Sequence, residues 1–367
     1  MIRWEARTQL ERRVAAALAI LSPPILRALL LPPRAQMASQ NQFETFLRDV
    51  EPSPTTKSEA SYGHTTLRKY LKAHARFGPL IVDDYLSGSY KRDTAIRPRV
   101  KDGVLARPDV DIIVVTNHNR YHAPDSVIGA LFDALKPQYG PNIRRQRRSV
   151  KVWTDKVDID VVPIIAPYGA SGTLMIPDRE LKDWIVTNPP GHTAWTTKVN
   201  EKAGGRFKPL VKLMKWWRRS NPTLARKPKG FVLECLAAEC MNYQETHYGR
   251  LFLSVLDGIV TKYGWYADLG VLPTIADPGV ATNDVLNGMT IDAFRGFMNK
   301  VRAHAALTRQ ALGEPDPDAA DPLWRELFDR FPPTRQPGSA LLAQAASVSS
   351  LGFPDRAIIP SRPAGFA

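Results

Sequence analysis

The sequence predicts an α+β protein built from two lobes, and three observations support this fold class. Helical and extended patterns alternate through the first half of the chain. Two of the extended segments carry aspartate at alternate positions, although aspartate is depleted inside strands. From about residue 178 onward the pattern is almost wholly helical. A mixed lobe followed by a helical lobe implies a cleft between the two, and clefts are where ligand sites are usually found.

The elements of the first half follow from the spacing of apolar residues, which is three to four in helices and two in strands. The predicted helices cover 40–52, 59–76 and 124–136, and the predicted strands cover 109–115, 148–153 and 157–163. The apolar segment 79–86 fits a strand or a short helix, because periodicity cannot separate the two in so short a run. We therefore expect an N-terminal mixed-sheet lobe over residues 37–175.

The second half predicts a helical lobe over residues 176–333. Its predicted helices cover 178–187, 192–201, 207–220, 229–243, 247–262, 291–312 and 320–330. Between them, residues 265–290 are rich in turn-forming residues and have no clear assignment.

Both ends of the chain differ in composition from the two lobes. The last residues, 334–367, are rich in Pro, Ala, Ser and Gly, which predicts a flexible tail. Residues 1–36 are rich in Arg, Ala, Leu and Pro and have three interpretations: a cleaved signal, a disordered arm or translated upstream sequence. We favour the last, because a coherent amphipathic stretch begins at Met37.

The formal net charge of +14 is the most unusual bulk property of the chain. It favours an anionic partner, which could be nucleic acid, a nucleoside triphosphate or a membrane surface. No apolar run reaches the ~18 residues of a membrane span, so we expect no membrane partner. Cys235 and Cys240 are the two cysteines. We interpret them as reduced thiols of a cytoplasmic protein, and the absence of a close Cys/His cluster argues against zinc.

Two aspartate pairs are the strongest candidates for chemistry. Residues i and i+2 of a strand share a face, so Asp109 points the same way as Asp111, and Asp158 the same way as Asp160. Carboxylates on neighbouring strands can hold two Mg²⁺ ions, with Mn²⁺ as a substitute. The competing interpretation places the pairs on an exposed sheet face as solvated charge. The presence of two pairs favours the metal site.

A glycine–serine turn precedes the first aspartate pair by about twenty residues. Gly88 allows a close approach of the backbone to a ligand, and Ser89 offers a hydroxyl and a backbone N–H to a phosphate. Such a dipeptide is common in turns, so its position carries the signal. No Walker loop and no dinucleotide glycine fingerprint occur in the chain.

Three motifs in this order, GSYKRDTAI, DVDIIVV and VDIDVVP, resemble the polymerase-β-like nucleotidyltransferase superfamily. Within it, the chain resembles most closely the bacterial cGAS/DncV-like nucleotidyltransferases (CD-NTases). The likeness continues through the segments 209–221, 227–234 and 323–332, and it spans residues 37–333. It implies a two-lobed polymerase-β-like fold in which the helical lobe follows the catalytic lobe.

The resemblance also implies roles for single residues. Asp109, Asp111 and Asp160 would be the catalytic metal ligands, with Asp160 chosen over Asp158 because the third carboxylate of the family precedes a Val-Val-Pro run. Gly88 and Ser89 would contact phosphate. Lys215, and Lys212 one turn before it, would reach the β- and γ-phosphates. Without the resemblance, the basic stripe of Lys208, Lys212, Lys215 and Arg219 would be interpreted as a solvated helix face.

As to activity, the resemblance implies template-independent joining of ATP and other nucleoside triphosphates into a cyclic di- or trinucleotide, with release of pyrophosphate. A purine trinucleotide such as cyclic AMP-AMP-GMP is the expected product. It would act in CBASS anti-phage defence by switching on an effector. The alternatives are an RNA-tailing or small-molecule nucleotidyltransferase, and a catalytically inactive paralogue that binds nucleotide or RNA.

Two further features, the C-terminal tail and a second basic cluster, each have more than one interpretation. The tail ending at Ala367 resembles tails that E1/E2-like enzymes conjugate to a target, and an ordinary terminus is the alternative. The cluster of Arg144, Arg145, Arg147, Arg148 and Lys151 either rims the cleft or is solvated surface, or binds nucleic acid. Because no aromatic residues are interleaved with it, we expect that no nucleic-acid activator is required.

Overall fold

Two parallel strands, β4 (Asp109–Thr116) and β7 (Asp158–Ile165), lie at the centre of a seven-stranded sheet. The computed structural model describes residue 38 and residues 40–101, 104–169 and 172–334. The predicted segment 1–36 and the tail, apart from Thr334, lie outside these residues.

Strand β4 pairs on its other side with β1, and β7 pairs with both β6 and β8, all antiparallel. The outer strands are β1 (Ile81–Ser87), β5 (Ile143–Arg145), β6 (Val150–Trp153), β8 (Leu174–Asp178) and β9 (Asp183–Thr187). The sheet order is β1–β4–β7–β6–β5, with β8 and β9 joined through β7. Two short strands, β2 (Val100–Lys101) and β3 (Val104–Leu105), form a separate hairpin between the glycine–serine turn and β4.

Two helices, α2 (Pro54–Ala73) and α4 (Pro124–Tyr139), cover one face of the sheet. Their Leu67 and Leu131 pack against Ile112 of β4 and Val161 of β7 in one apolar core. Helix α2 begins five residues earlier than predicted, because the Ser53 hydroxyl accepts a hydrogen bond from the Thr56 N–H and caps the helix at Pro54. The segment 79–86 contains both candidate structures, because a single 3-10 turn covers Gly78–Leu80 and strand β1 begins at Ile81.

The second core is formed by helices. They are α1 (Gln40–Val50), α5 (Pro189–Lys202), α6 (Phe207–Ser220), α7 (Gly230–Cys240), α8 (Tyr248–Leu269), α9 (Ile291–Gly313) and α10 (Pro317–Leu327). Trp217 and Trp324 are fully buried in this core. A short hairpin, β10 (Ala276–Asp277) and β11 (Val280–Asp284), lies in the turn-rich region before α9.

The structure differs from the predicted elements at residues 178–187, where the predicted helix is wrong. Asp183–Thr187 is strand β9, which pairs with β8 and buries Trp184. Pairing with a neighbouring strand outweighs the weak local helical pattern, and Trp184, Ile185 and Val186 are all residue types that favour strands. The sheet thus reaches Thr187.

The packing also assigns α1 to the helical core, where Phe43 and Phe46 contact Phe331. The division of the chain into domains at 37–175 and 176–333 stays a prediction. None of the helices within the described ranges is long and apolar enough to cross a membrane.

We expect Trp217→Ala to lower the free energy of unfolding by about 3–5 kcal/mol, because it opens a cavity in the helical core. It also removes the partner of His304, whose Nδ1 accepts the indole N–H at 2.8 Å. Denaturant unfolding followed by circular dichroism measures the change. The matched control is Trp265→Ala, since Trp265 is 51% exposed and should cost less than about 1 kcal/mol. Equal losses in the two variants would contradict the prediction.

Candidate active site

The aspartate pairs are brought side by side by the register of the two central strands. Asp111 lies opposite Asp160, and Asp109 lies opposite Asp158. The side chains of Val110 and Ile159, which separate the two aspartates of each strand, are buried in the core that the helices cover. The four aspartates therefore share the face of the sheet that is turned away from α2 and α4, as the spacing of two predicted.

Lys151 lies among these carboxylates. It is opposite Asp160 on the neighbouring strand β6 and is 9% exposed. Its Nζ is 3.1 Å from Asp160 Oδ2 and also contacts Asp109 Oδ1. The sequence offered Lys151 only as the last member of a basic cluster. Strand pairing, which the sequence does not show directly, makes it a bridge between two predicted site residues.

The carboxylates concentrate more negative charge than Lys151 offsets. Burial, with the charges of Asp109 and Asp160, raises the pKa of Asp111 to about 6. Burial also raises the pKa of Asp160, against the opposing effect of Lys151. The excess of negative charge, all of it on carboxylate oxygens, suits a hard divalent cation.

Within the described part of the chain, no three His, Cys, Asp or Glu side chains are already arranged around one ion position. The Lys151 ammonium instead lies between Asp109 and Asp160, which demonstrates that a positive charge fits there. Asp158 forms a separate salt bridge with Arg107, whose Nε lies 2.8 Å from Asp158 Oδ1. The carboxylate oxygens of Asp109, Asp111 and Asp160 are therefore of the kind that a divalent cation prefers, and Lys151 occupies the space between two of them.

The glycine–serine turn approaches the carboxylates directly. Ser87, the last residue of β1, is opposite Asp111, and Gly88 begins the short helix α3 (Gly88–Lys91). Gly88 has a φ of +67°, and a Cβ added to it would overlap Asp111 Oδ2. Only glycine suits this position, both for its φ and for the close approach. Ser89 is half-buried beside it and lines the same cavity.

This cavity has a volume of about 580 Å³ and is lined by both lobes. The sheet lobe contributes Gly88, Ser89, Asp109 and Asp111, and the helical lobe contributes Lys215 and Phe231. A second cavity of about 560 Å³ is also lined by Phe231, together with Arg147, Arg148 and the β10–β11 hairpin. Each volume lies in the range of small-molecule sites. The predicted cleft between the lobes is thus present, and it has two compartments.

A buried ion cluster joins the lobes at the wall of the first cavity. Glu234 of α7 is fully buried and accepts hydrogen bonds from Arg92 at 3.0 and 3.1 Å, from the Thr94 hydroxyl at 3.0 Å and from Lys215 at 2.8 Å. Burial acts to raise the pKa of Glu234, but Lys215 and Arg92 outweigh it and hold this pKa at about 2. Glu234 is therefore ionised and ties the loop after α3 to two helices. No sequence pattern indicates this role for Glu234, because Arg92 and Thr94 are 140 or more residues away from it in the chain.

The two lysines predicted to bind nucleotide are both engaged in ion pairs. Lys215 also donates to the Thr94 carbonyl and hydroxyl, each at 3.0 Å, so its three N–H groups all have acceptors. Lys212 pairs with Glu51 at 2.6 Å and with Asp93 at 3.3 Å, and it does not line the first cavity. Both are buried, so this part of the helix is not a solvated face. Their contact with phosphate stays a prediction.

The second basic cluster is divided among several partners. Arg147 and Arg148 line the second cavity, and both form salt bridges with the buried Asp178. Their Nε atoms lie 2.7 and 2.8 Å from Asp178 Oδ2. The Arg144 guanidinium lies over the ring of Trp153, and Arg145 Nη2 lies 3.8 Å from Asp133 Oδ1. The cluster therefore does not form one continuous basic surface.

We expect Glu234→Ala to cost about 3–5 kcal/mol of stability, because it leaves Lys215 and Arg92 without their carboxylate inside the protein. Denaturant unfolding measures the loss. Asp257→Ala is the control, since it removes a carboxylate from a partly exposed pair with Arg309 and should cost less than about 1 kcal/mol. If both variants lose the same amount, the buried cluster does not hold the lobes together.

We expect Lys151→Met to lower the melting temperature in EDTA, because the three carboxylates then repel one another without a compensating charge. Mg²⁺ should raise the melting temperature of the variant more than that of the parent chain, since Lys151 no longer competes for Asp109 and Asp160. Scanning fluorimetry with EDTA or MgCl₂ tests both effects. Lys156→Met is the control, because Lys156 is exposed and pairs with Glu59. An equal Mg²⁺ response in all three proteins would contradict the prediction.

Comparison with known proteins agrees with this geometry. Residues 37–200 match the model of the Second Messenger Oligonucleotide or Dinucleotide Synthetase domain. The chain is 48% identical to a cyclic AMP-AMP-AMP synthase of an Acinetobacter species over 90% of this chain and 98% of the relative. It is 28% identical to a cyclic AMP-AMP-GMP synthase of Enterobacter hormaechei over 81% of this chain and 92% of the relative.

Among solved structures, CdnC of E. coli MS115-1 with ATP superimposes with a TM-score of 0.66 at 18% identity, covering 80% of this chain and 99% of CdnC. This likeness shows the fold, which is that of the polymerase-β-like nucleotidyltransferases. The chain therefore belongs to the bacterial cGAS/DncV-like nucleotidyltransferases (CD-NTases), a family of enzymes that synthesise cyclic oligonucleotides.

Proposed function

We propose that this chain makes a cyclic purine trinucleotide from nucleoside triphosphates, and that ATP supplies all three units. The observation that carries the proposal is the in-register pair of Asp111 and Asp160 at a cavity that both lobes line. The choice of product follows the relatives. The one at 48% identity is named for cyclic AMP-AMP-AMP, and the one at 28% for cyclic AMP-AMP-GMP. Both names describe purine trinucleotides, and the higher identity favours three adenines.

Asp109, Asp111 and Asp160 are the proposed metal ligands, holding two Mg²⁺ ions for which Mn²⁺ can substitute. When bound, Mg²⁺ lowers the pKa of an attacking hydroxyl and neutralises charge on the leaving phosphates. The support is the donor set of carboxylate oxygens, which Mg²⁺ prefers, and the burial of Asp111 with the crowding of Asp109 and Asp160 around it, which raises its pKa.

The nucleotide contacts are proposed from the cavity wall. Gly88 lets the backbone lie against the phosphates, and the Ser89 hydroxyl and N–H donate to them. Lys215 adds positive charge to the wall while its N–H groups hold Glu234 and Thr94, and Lys212 holds Asp93. The two cavities that share Phe231 have room for a donor and an acceptor nucleotide.

The reaction itself is a phosphoryl substitution at each step. An acceptor ribose hydroxyl forms a new bond to the α-phosphorus of the donor, the α–β bridging bond breaks, and pyrophosphate leaves with that electron pair. The hydroxyl proton is lost to solvent. The chain's own contribution is to align the reactants between Ser89 and the carboxylates and to keep the wall rigid through the Glu234 cluster. Ring closure repeats the same chemistry within one linear product.

The biological setting belongs to the same proposal. A cyclic trinucleotide would act as a second messenger in CBASS anti-phage defence and switch on a downstream effector. Conjugation of the C-terminal tail at Ala367 concerns residues outside those described. An RNA-tailing or small-molecule nucleotidyltransferase, or an inactive paralogue, would share the fold. The product assay separates these alternatives.

We expect purified protein with Mg²⁺ and ATP to form a phosphatase-resistant product with the mass of a cyclic tri-adenylate, as read by mass spectrometry. Adding the other three nucleoside triphosphates tests base choice, and adding RNA tests tailing. Asp111→Asn and Asp160→Asn should lower the rate by about 100-fold or more, because each removes charge that the reaction needs. Asp158→Asn is the matched control on the same strand and should keep most of the activity. Full activity in Asp160→Asn, or a product that phosphatase degrades, would contradict the proposal.

A further inference from the structure

The cations of helix α6 are of two kinds. Lys212 and Lys215 are buried and bound to carboxylates, as described above. One turn later, Arg218 and Arg219 both line the first cavity and form no salt bridge with a carboxylate of the described residues. The charge of Asp329 nevertheless acts on Arg219 and partly offsets the effect of the neighbouring arginines on its pKa. Arg99, which precedes the β2–β3 hairpin, lines the same cavity and is likewise unpaired in this part of the chain. The cavity wall thus holds three guanidinium groups without ion pairs.

The hydrogen bonds of the helix arginines leave donors for a ligand. Arg218 uses Nη1 to donate to the Arg226 carbonyl at 3.0 Å, while its buried Nε has no partner. Arg219 uses Nη1 to donate to the Arg97 carbonyl and packs over the ring of Trp216. A guanidinium has five N–H donors, so most of those on each side chain remain free.

The three guanidiniums act on one another as well. Burial, with the charges of Arg99 and Arg218, lowers the pKa of Arg219 to about 10. Burial, with Arg99 and Arg226, also lowers the pKa of Arg218. Like charges held this close in a partly buried wall are unfavourable until an anion offsets them. The three neighbouring guanidinium groups therefore favour the binding of a polyanion inside the cavity.

The geometry points to Arg99, Arg218 and Arg219 as a clamp for the terminal phosphates of the bound triphosphate and for the pyrophosphate that leaves. This inference rests on the proposed function, because it takes the first cavity as the donor site. Arginine suits the task, since its planar fork binds phosphate oxygens in pairs. Lys215 cannot take this role without releasing Glu234 or Thr94. The clamp thus supplies cationic contacts from guanidinium groups that form no salt bridge with carboxylates of the described residues, beside the charge that Lys215 adds to the wall.

Equilibrium binding separates phosphate contacts from general damage. The probes are α,β-methylene-ATP, AMP and inorganic tripolyphosphate, each titrated against the full chain by calorimetry. In Arg218→Gln and Arg219→Gln we expect the affinity for the ATP analogue and for tripolyphosphate to fall about tenfold or more, because each variant loses charged hydrogen bonds. Affinity for AMP should change less than about twofold, since AMP has no terminal phosphates. Arg218→Lys should keep part of the affinity because it keeps the charge.

Arg76→Gln is the matched control, because Arg76 is exposed, has the same charge and lines a different cavity. Arg99→Gln guards against misfolding, since Arg99 is exposed and has no core contact to lose. Unchanged triphosphate affinity in the clamp variants, or an equal loss for AMP and the ATP analogue, would overturn the clamp. If the parent chain binds none of the nucleotide probes, the proposed function fails first. The two failures are therefore distinguishable.

Discussion

The parallel register between β4 and β7 fixes both the core of the sheet lobe and the position of its carboxylates. It sets Asp111 beside Asp160 on strands about 4.8 Å apart, where burial and mutual repulsion raise the pKa of Asp111. The alternate residues, Ile112 and Val161 among them, fill the core under α2 and α4. A slip of one residue would turn the aspartates into that core and the aliphatic side chains into the cavity. The same register therefore secures the hydrophobic core and the active site.

The concentration of carboxylates determines where the cations lie. Lys151 forms salt bridges with Asp109 and Asp160, and Arg107 forms one with Asp158. At the junction of the lobes the charges are reversed, because there one buried carboxylate, that of Glu234, offsets the positive charges of Arg92 and Lys215. Because a buried charge is tolerated only with partners, these pairs fix the loop after α3 against the helical lobe. The cavity between the lobes keeps its shape for this reason.

Much of the fold could be predicted from local patterns. Helix α6 and strands β4 and β7 carry strong periodicity, and the structure confirms them nearly to the residue. Strand β9 was predicted as a helix, although its short run of Trp184, Ile185 and Val186 favours a strand, which pairs with β8. The place of α1 in the helical core also escaped prediction. Its Phe43 and Phe46 meet aromatic residues almost 290 positions later, and no local pattern encodes such a contact.

Local sequence is enough to predict which faces carry the aspartates, because the alternation of side chains along a strand is a local property. It also placed glycine at position 88, where the structure shows a positive φ against Asp111. The choice of Asp160 over Asp158 came from family resemblance and stays a prediction, since each of the two carboxylates has a cation beside it, Lys151 for Asp160 and Arg107 for Asp158. Which cations form salt bridges among the described residues depends on long-range packing and could not be read from local patterns. Lys151 acquires its partners from strand pairing, and Glu234 acquires Arg92 from the packing of two lobes, which joins residues 142 positions apart in the chain.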